Sequence, residues 1–215
     1  WARTFNQDQG KESWVQVRLD RLPESALPQL QSEIVAMLLS LRSVVGDEAA
    51  MRTALSNVRR MVAGQARLQD AEMLAFLDWL ADNHFLLMGF CEYDLVQDEQ
   101  GQAQLEVRQD SQLGIFLQRP PQRYSTGFSA LSAQAKQAWL AGSRLALSKS
   151  QQRSILHRPV YYDLVGVQKL NAVGQVVGQW RFMGLYTVHA YLSEVWDIPV
   201  LREKCQKVVD QCDYV

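Results

Sequence analysis

The stretch Phe85-Leu86-Leu87-Met88-Gly89-Phe90-Cys91-Glu92-Tyr93-Asp94-Leu95-Val96 decides the fold class. It is dense in aromatic and apolar residues, the composition of a strand in a covered sheet. Asp98-Glu99-Gln100-Gly101 follows it and has the makings of a hairpin turn. Beyond the turn, Ala103, Leu105 and Val107 alternate with Gln104, Glu106 and Arg108, which predicts an antiparallel partner with one buried face. A second short strand is expected from Leu113 to Leu117. Arg119-Pro120-Pro121 then interrupts the pattern, and residues 129–140 read as a helix. Strands resume at 145–148, 162–170 and 176–187, the last two separated by the tight Ala172-Val173-Gly174. Trp180-Arg181-Phe182-Met183-Gly184-Leu185-Tyr186-Thr187 has two bulky faces, as a central strand covered on both sides requires. About five antiparallel strands with one helical excursion make an α+β sandwich.

Working outward, residues upstream of Asp82-Asn83 change to helical period. Leu30, Ile34, Met37, Leu38, Leu41 and Val45 form one apolar stripe; Met51, Leu55, Val58 and Val62 form a second; Met73, Leu74, Leu77 and Leu80 form a third. Asp47 and Asp70 stand where N-caps are expected. This helical connector is expected to span residues 23–82 and to pack against neighbouring structure. Ahead of it, Ser13-Trp14-Val15-Gln16-Val17-Arg18-Leu19 alternates with period two, a lone strand with no partner close in sequence, closed by Pro23. One strand is not stable alone, so it is expected to complete a sheet formed mostly by preceding chain. At the other end Asp197-Ile198-Pro199 is expected to open a closing helix striped by Val200, Leu201, Cys205, Val208 and Cys212. The chain opens on Trp1 and stops at Val215 directly after that pattern, as expected of a fragment of a longer polypeptide.

The 215 residues carry 22 Lys and Arg against 23 Asp and Glu, a net charge of -1. That balance argues against a nucleic-acid partner and offers no polybasic patch for a membrane surface. Uncharged runs fall far short of the ~20 apolar residues a membrane span needs. Three cysteines without a CxxC spacing point to a reducing compartment, the cytoplasm.

No glycine-rich loop of the dinucleotide or phosphate-binding kind opens a helix. His84, His157 and His189 are scattered, and none sits at metal-ligand spacing from a second donor. No catalytic, cofactor-binding or metal-ligating residue is therefore assigned. A Ser154–His157–Asp163 set is the one nucleophilic arrangement that can be drawn, and sequence proximity is poor support for a triad. The most polar constellation is Lys149 to Arg158, where Lys149, Arg153, Ser154, His157 and Arg158 cluster ahead of Tyr161 and Tyr162. Guanidinium forks beside hydroxyls suit carboxylate or phosphate oxygens, so these five are the candidate residues for an interdomain or anion contact.

Seven segments in order carry a resemblance: Asp78-Trp79-Leu80-Ala81-Asp82-Asn83-His84-Phe85-Leu86-Leu87-Met88-Gly89-Phe90, Glu92-Tyr93-Asp94-Leu95, Leu113-Gly114-Ile115, Ser154-Ile155-Leu156-His157-Arg158-Pro159, Val165-Gly166-Val167, Arg181-Phe182-Met183-Gly184-Leu185-Tyr186-Thr187 and Asp197-Ile198-Pro199-Val200-Leu201-Arg202-Glu203-Lys204. Together they resemble the N-terminal region of the large bacterial NAD-specific glutamate dehydrogenases. The resemblance implies ACT-like domains and a PAS-like domain ahead of a catalytic domain, with residues 1–22 the tail of an ACT-like domain and 83–215 the PAS-like one. It implies a homo-oligomeric parent that deaminates L-glutamate to 2-oxoglutarate and ammonia with NAD, the cofactor lying in the parent and not in this segment. The expected role is non-catalytic: regulation and assembly, with other domains of the same polypeptide and partner subunits as contacts. A small-molecule effector, an amino acid sensed in a PAS-like pocket, is the alternative.

Overall fold

A computed structural model describes residues 2–7, 10–65 and 70–212, with residues 2–7 and 10–13 described by backbone alone. The chain divides into two compact units, residues 1–36 and 37–215.

The first unit holds β1 (Ala2–Gln7) and β2 (Gly10–Val15), an antiparallel ribbon in register from Ala2 opposite Val15 to Gln7 opposite Gly10. This corrects the expectation of a lone strand. Its partner is the immediately preceding segment, whose polar residues Arg3, Asn6 and Gln7 conceal it. The strand also stops at Val15, short of the alternation that continues to Leu19. A long helix, α1 (Leu27–Gly46), follows and carries the chain across the division.

The second unit is built on five antiparallel strands: β3 (Phe85–Gln97), β4 (Ala103–Gly114), β5 (Leu145–Arg153), β6 (Tyr161–Leu170) and β7 (Val176–Tyr186), in spatial order β4-β3-β7-β6-β5. The last strand in sequence is thus the central one, as its two bulky faces predict. Phe90 lies opposite Phe182, and their rings meet at 4.9 Å. Asp98 closes the β3–β4 hairpin by accepting from the backbone N–H groups of Gln100 and Gln102. Burial of Tyr93, Tyr162 and Phe182, each at most 1% exposed, anchors the sheet. Each such side chain contributes about 1.5–3 kcal/mol.

Two helices pack with the sheet in a single core: α2 (Glu48–Gly64), through Met51, Leu55, Val58 and Val62, and α3 (Ala71–Trp79), through Met73, Phe76 and Leu77. The excursion between β4 and β5 holds α4 (Ile115–Gln118), α5 (Thr126–Ser129) and α6 (Ala133–Ala141). Leu113 to Leu117 is therefore not a separate strand. Gly114, at φ +64°, ends β4 and turns the chain into α4, so that Ile115 and Phe116 are both buried. The helix expected over 129–140 is divided, because Ser132 caps α6 by accepting from the Ala135 N–H. After β7 come the short α7 (Val188–Leu192) and finally α8 (Leu201–Cys212).

Helix α8 starts later than expected, and Asp197 does not cap it. Glu72 of α3 reaches across instead, accepting from the Val200 N–H at 2.8 Å and holding Arg202 at 2.7 Å. Asp47 and Asp70 likewise make no side-chain cap bond. Asp47 accepts the Gly114 N–H at 2.7 Å, and Asp70 accepts from Arg144. In all three places the carboxylate spans separate elements, a use that local capping rules do not anticipate.

Candidate functional site

The segment singled out for its polarity occupies the far edge of the sheet and the loop after it. β5 runs to Arg153, five residues beyond its expected end, and pairs β6 from Leu145 opposite Val167 to Arg153 opposite Tyr161. Lys149 is an edge-strand cation paired with Asp163 at 2.6 Å. Arg153 lies over the Tyr161 ring at 5.3 Å. Ser154 is buried, and its hydroxyl donates to the Leu156 carbonyl at 2.5 Å while accepting the Leu156 N–H. His157 is exposed at φ +63°, at the tip of the turn this hydroxyl organises. Arg158 donates through Nη2 to the Tyr186 carbonyl and lies over the Tyr191 ring at 5.1 Å.

The five candidates are thus neighbours along the chain with separate engagements. Among the described residues no hydrogen bond joins Ser154 or Asp163 to His157. The Ser154–His157–Asp163 arrangement is not assembled: the hydroxyl is spent on backbone and the carboxylate on Lys149.

Near Tyr186 an apolar cleft of about 290 Å³ opens between Phe76 and Trp79 of α3, Tyr191 of α7 and Ile198 to Leu201. Burial, with the Asp163 charge nearby, pushes the Tyr186 phenol up to about 12. His84 stacks on Trp79 with ring centroids 4.4 Å apart, and its Nδ1 lies 2.8 Å from the Trp79 carbonyl oxygen. Cys91, on the opposite face of the sheet, has its thiol raised by burial to about 12 and is chemically quiet.

A larger cavity, about 450 Å³, lies at the other end of the sheet. Its wall is made by the Ala141-Gly142-Ser143-Arg144 turn that leads from α6 into β5, by Gln168 of β6 and by Asp70 at the start of α3. The turn is held against the sheet from both sides. Gln168 donates its backbone N–H to the Arg144 carbonyl at 2.8 Å and its side-chain amide to the Trp139 carbonyl at 2.7 Å. The Arg144 guanidinium is buried and donates through Nη1 to Asp70 Oδ2 at 2.8 Å, while Nε and Nη2 have no hydrogen-bond partner among the described residues. A buried cation left with idle donors is uncommon and calls for an explanation.

Sequence reasoning passed over both residues. Gly142-Ser143-Arg144 is unlike any phosphate loop, and Asp70 reads as a cap. The one available signal is a charge set between the apolar Leu140 and Leu145. Among the described residues no group of three His, Cys, Asp or Glu could hold a metal, and no helix is long and apolar enough to cross a membrane.

Fold and site together make the second unit an α+β body: a five-stranded antiparallel sheet packed with helices, with a buried Arg–Asp pair at a cavity. No protein-family model matches the chain. Among curated proteins it is similar to the NAD-specific glutamate dehydrogenase of Halomonas elongata, 27% identical over 208 residues, and to that of Pseudomonas aeruginosa, 29% identical over 212 residues. Each match covers 94% of this chain, and the chain spans 13% of the length of each relative. Both matches agree with the resemblance carried by the seven segments, and in each this chain aligns with a small part of a much longer relative.

Proposed function

We propose that the chain is a non-catalytic regulatory and assembly segment of a large NAD-specific glutamate dehydrogenase. In this reading the oxidative deamination of L-glutamate with NAD takes place elsewhere in the parent polypeptide, and residues 83–215 act as its PAS-like domain. The observation that carries it is the pair of matches in which 94% of this chain aligns with 13% of each NAD-specific relative. The surface supports contact with further protein. Met37, Leu38, Leu39, Leu41 and Val45 of α1 are exposed, and α8 has no buried residue although Val208 and Val209 face outward beside Leu201. Apolar side chains grouped on helices in this way mark surfaces that other protein covers. Regulation then follows if the packing of this body against its neighbours differs between active and inactive states of the parent.

The test is direct. The purified 215-residue chain should give no glutamate-dependent NAD reduction, and removing it from the parent should change the parent's oligomeric state or its response to effectors. Turnover by the chain alone, or a parent unchanged by the deletion, refutes the reading. The cavity beside Arg144 favours a second reading, metabolite sensing by the same segment.

A further inference from the structure

We propose that the cavity beside Arg144 binds a small carboxylate through the Nε and Nη2 edge of the guanidinium. The proposal takes up the metabolite-sensing reading and gives it a site and a ligand class.

The argument is a comparison within the molecule. Nε and Nη2 are the two parallel donors of a guanidinium that can hold both oxygens of a carboxylate. Arg59 uses this edge on Asp78 at 2.9 and 3.0 Å, Arg108 uses it on Asp94 at 3.1 and 2.9 Å, and Arg202 uses it on Glu72 with Nη2 at 2.7 Å. In those three pairs the arginine side chain is 40–45% exposed, and water could serve in the carboxylate's place. Arg144 is 5% exposed, and among the described residues both nitrogens of its edge are buried without a partner, where Arg158 leaves only Nε so. Its Nη1 bond to Asp70 anchors the group without using that edge.

The cavity is far larger than the ~30 Å³ share of one water, so it has room for a small organic molecule. Charge narrows the class. Asp70 places a carboxylate next to the guanidinium, so a doubly charged phosphate is repelled, whereas a single carboxylate gains two charge-assisted hydrogen bonds. Neither idle nitrogen touches water, so binding is coupled to a turn of the guanidinium toward the cavity about its Asp70 contact.

The experiment titrates the 215-residue chain with acetate, L-glutamate and inorganic phosphate, followed by calorimetry and by the NMR signal of the Arg144 Nε–H. Carboxylates should saturate and move that signal, phosphate should not, and Arg144→Gln should weaken binding about tenfold or more. Ala141→Phe, at an exposed position on the cavity wall, should weaken binding with the guanidinium intact, and it decides the matter if Arg144→Gln does not fold. Carboxylates that fail to saturate by about 10 mM, variants that bind within about twofold of the parent chain, or phosphate binding equally well each overturn the site. A neutral metabolite that binds while carboxylates do not overturns this site and leaves metabolite sensing standing; no binding by any small metabolite counts against both.

Discussion

Replacing Gly114 by alanine puts the link between α2 and the sheet under direct load. Gly114 sits at φ +64° and ψ -128°, a region that is nearly closed to residues with a Cβ. Holding an alanine there costs about 1–3 kcal/mol. The added Cβ would stand 2.3 Å from the Met88 carbonyl oxygen and 3.1 Å from the Met51 sulfur. The first is backbone of β3 and cannot swing aside, so the Gly89–Gly114 pairing must open. The same shift strains the 2.7 Å bond from the Gly114 N–H to Asp47, a charge-assisted bond worth about 1.5–3 kcal/mol. Allowing for partial relaxation, the sum is about 3–5 kcal/mol. For a domain of this size each kcal/mol lowers Tm by roughly 2–4 °C, so a fall of about 10 °C or more is expected in a circular-dichroism melt. Gly64→Ala is the control. It lies at the end of α2 with nothing within 4 Å of the added Cβ, and it should melt within about 2 °C of the parent chain. Because Asp47→Ala removes part of the same contact, the double variant with Gly114→Ala should lose less than the sum of the two. A Gly114→Ala chain that melts with the parent would show that the turn is not held as described, and the account of β4 passing into α4 would fall with it.

Three further outcomes follow from the packing and the ion pairs. Phe182→Ala removes a fully buried ring at the centre of the sheet and should cost about 3–5 kcal/mol in urea unfolding, with the m-value unchanged. The hydrogen bond from Arg202 chiefly, against the opposing cost of burial, holds the Glu72 carboxyl below its ordinary value of 4.5. A carboxyl depressed on folding adds stability above its unfolded value and loses it as pH falls through the folded one. The chain should therefore lose stability below about pH 4.5, and Glu72→Gln should flatten that part of a pH series of melts. At pH 8 Cys91, with its thiol near 12, should resist a thiol reagent until the chain unfolds, while the exposed Cys212 reacts at once.

The sheet was legible in the sequence because each strand met its own local requirement. Phe85 to Val96 and Trp180 to Tyr186 are bulky on both faces, Leu105 and Val107 alternate, and residues 98–101 and 172–174 turn tightly. Helices α2 and α3 were legible through their stripes: the four α2 residues are all buried, as are Met73 and Leu77 of α3, while Leu74 is half-buried and the buried Phe76 lay outside the stripe. The α1 stripe was read equally well as a pattern, yet Ile34, Met37, Leu38 and Leu41 are exposed. Periodicity reports that a face is apolar and is silent on what covers it.

The errors share a physical origin. Asp47, Asp70 and the start of α8 were assigned by local capping rules, and each is governed by a partner far along the chain: Gly114, Arg144 and Glu72. A carboxylate has several acceptor sites, and a sequence does not say whether the N–H groups it meets are two residues away or 130. The same limit hid the cavity. Lys149 to Arg158 drew attention as a cluster because its charges are adjacent in sequence, yet in the fold Lys149 pairs with Asp163, Arg153 stacks on Tyr161, and Arg158 meets Tyr186 and Tyr191. Arg144 is a lone charge between Leu140 and Leu145, and its burial with one edge unused becomes visible only once Asp70, 74 positions earlier, is brought beside it. Charge density along the chain thus pointed to side chains that are mostly engaged, Arg158 Nε being the exception, whereas the arginine with both nitrogens of one edge unmet in three dimensions is a different one. The second criterion is the better guide here, because a ligand is held by donors that the fold has left without acceptors.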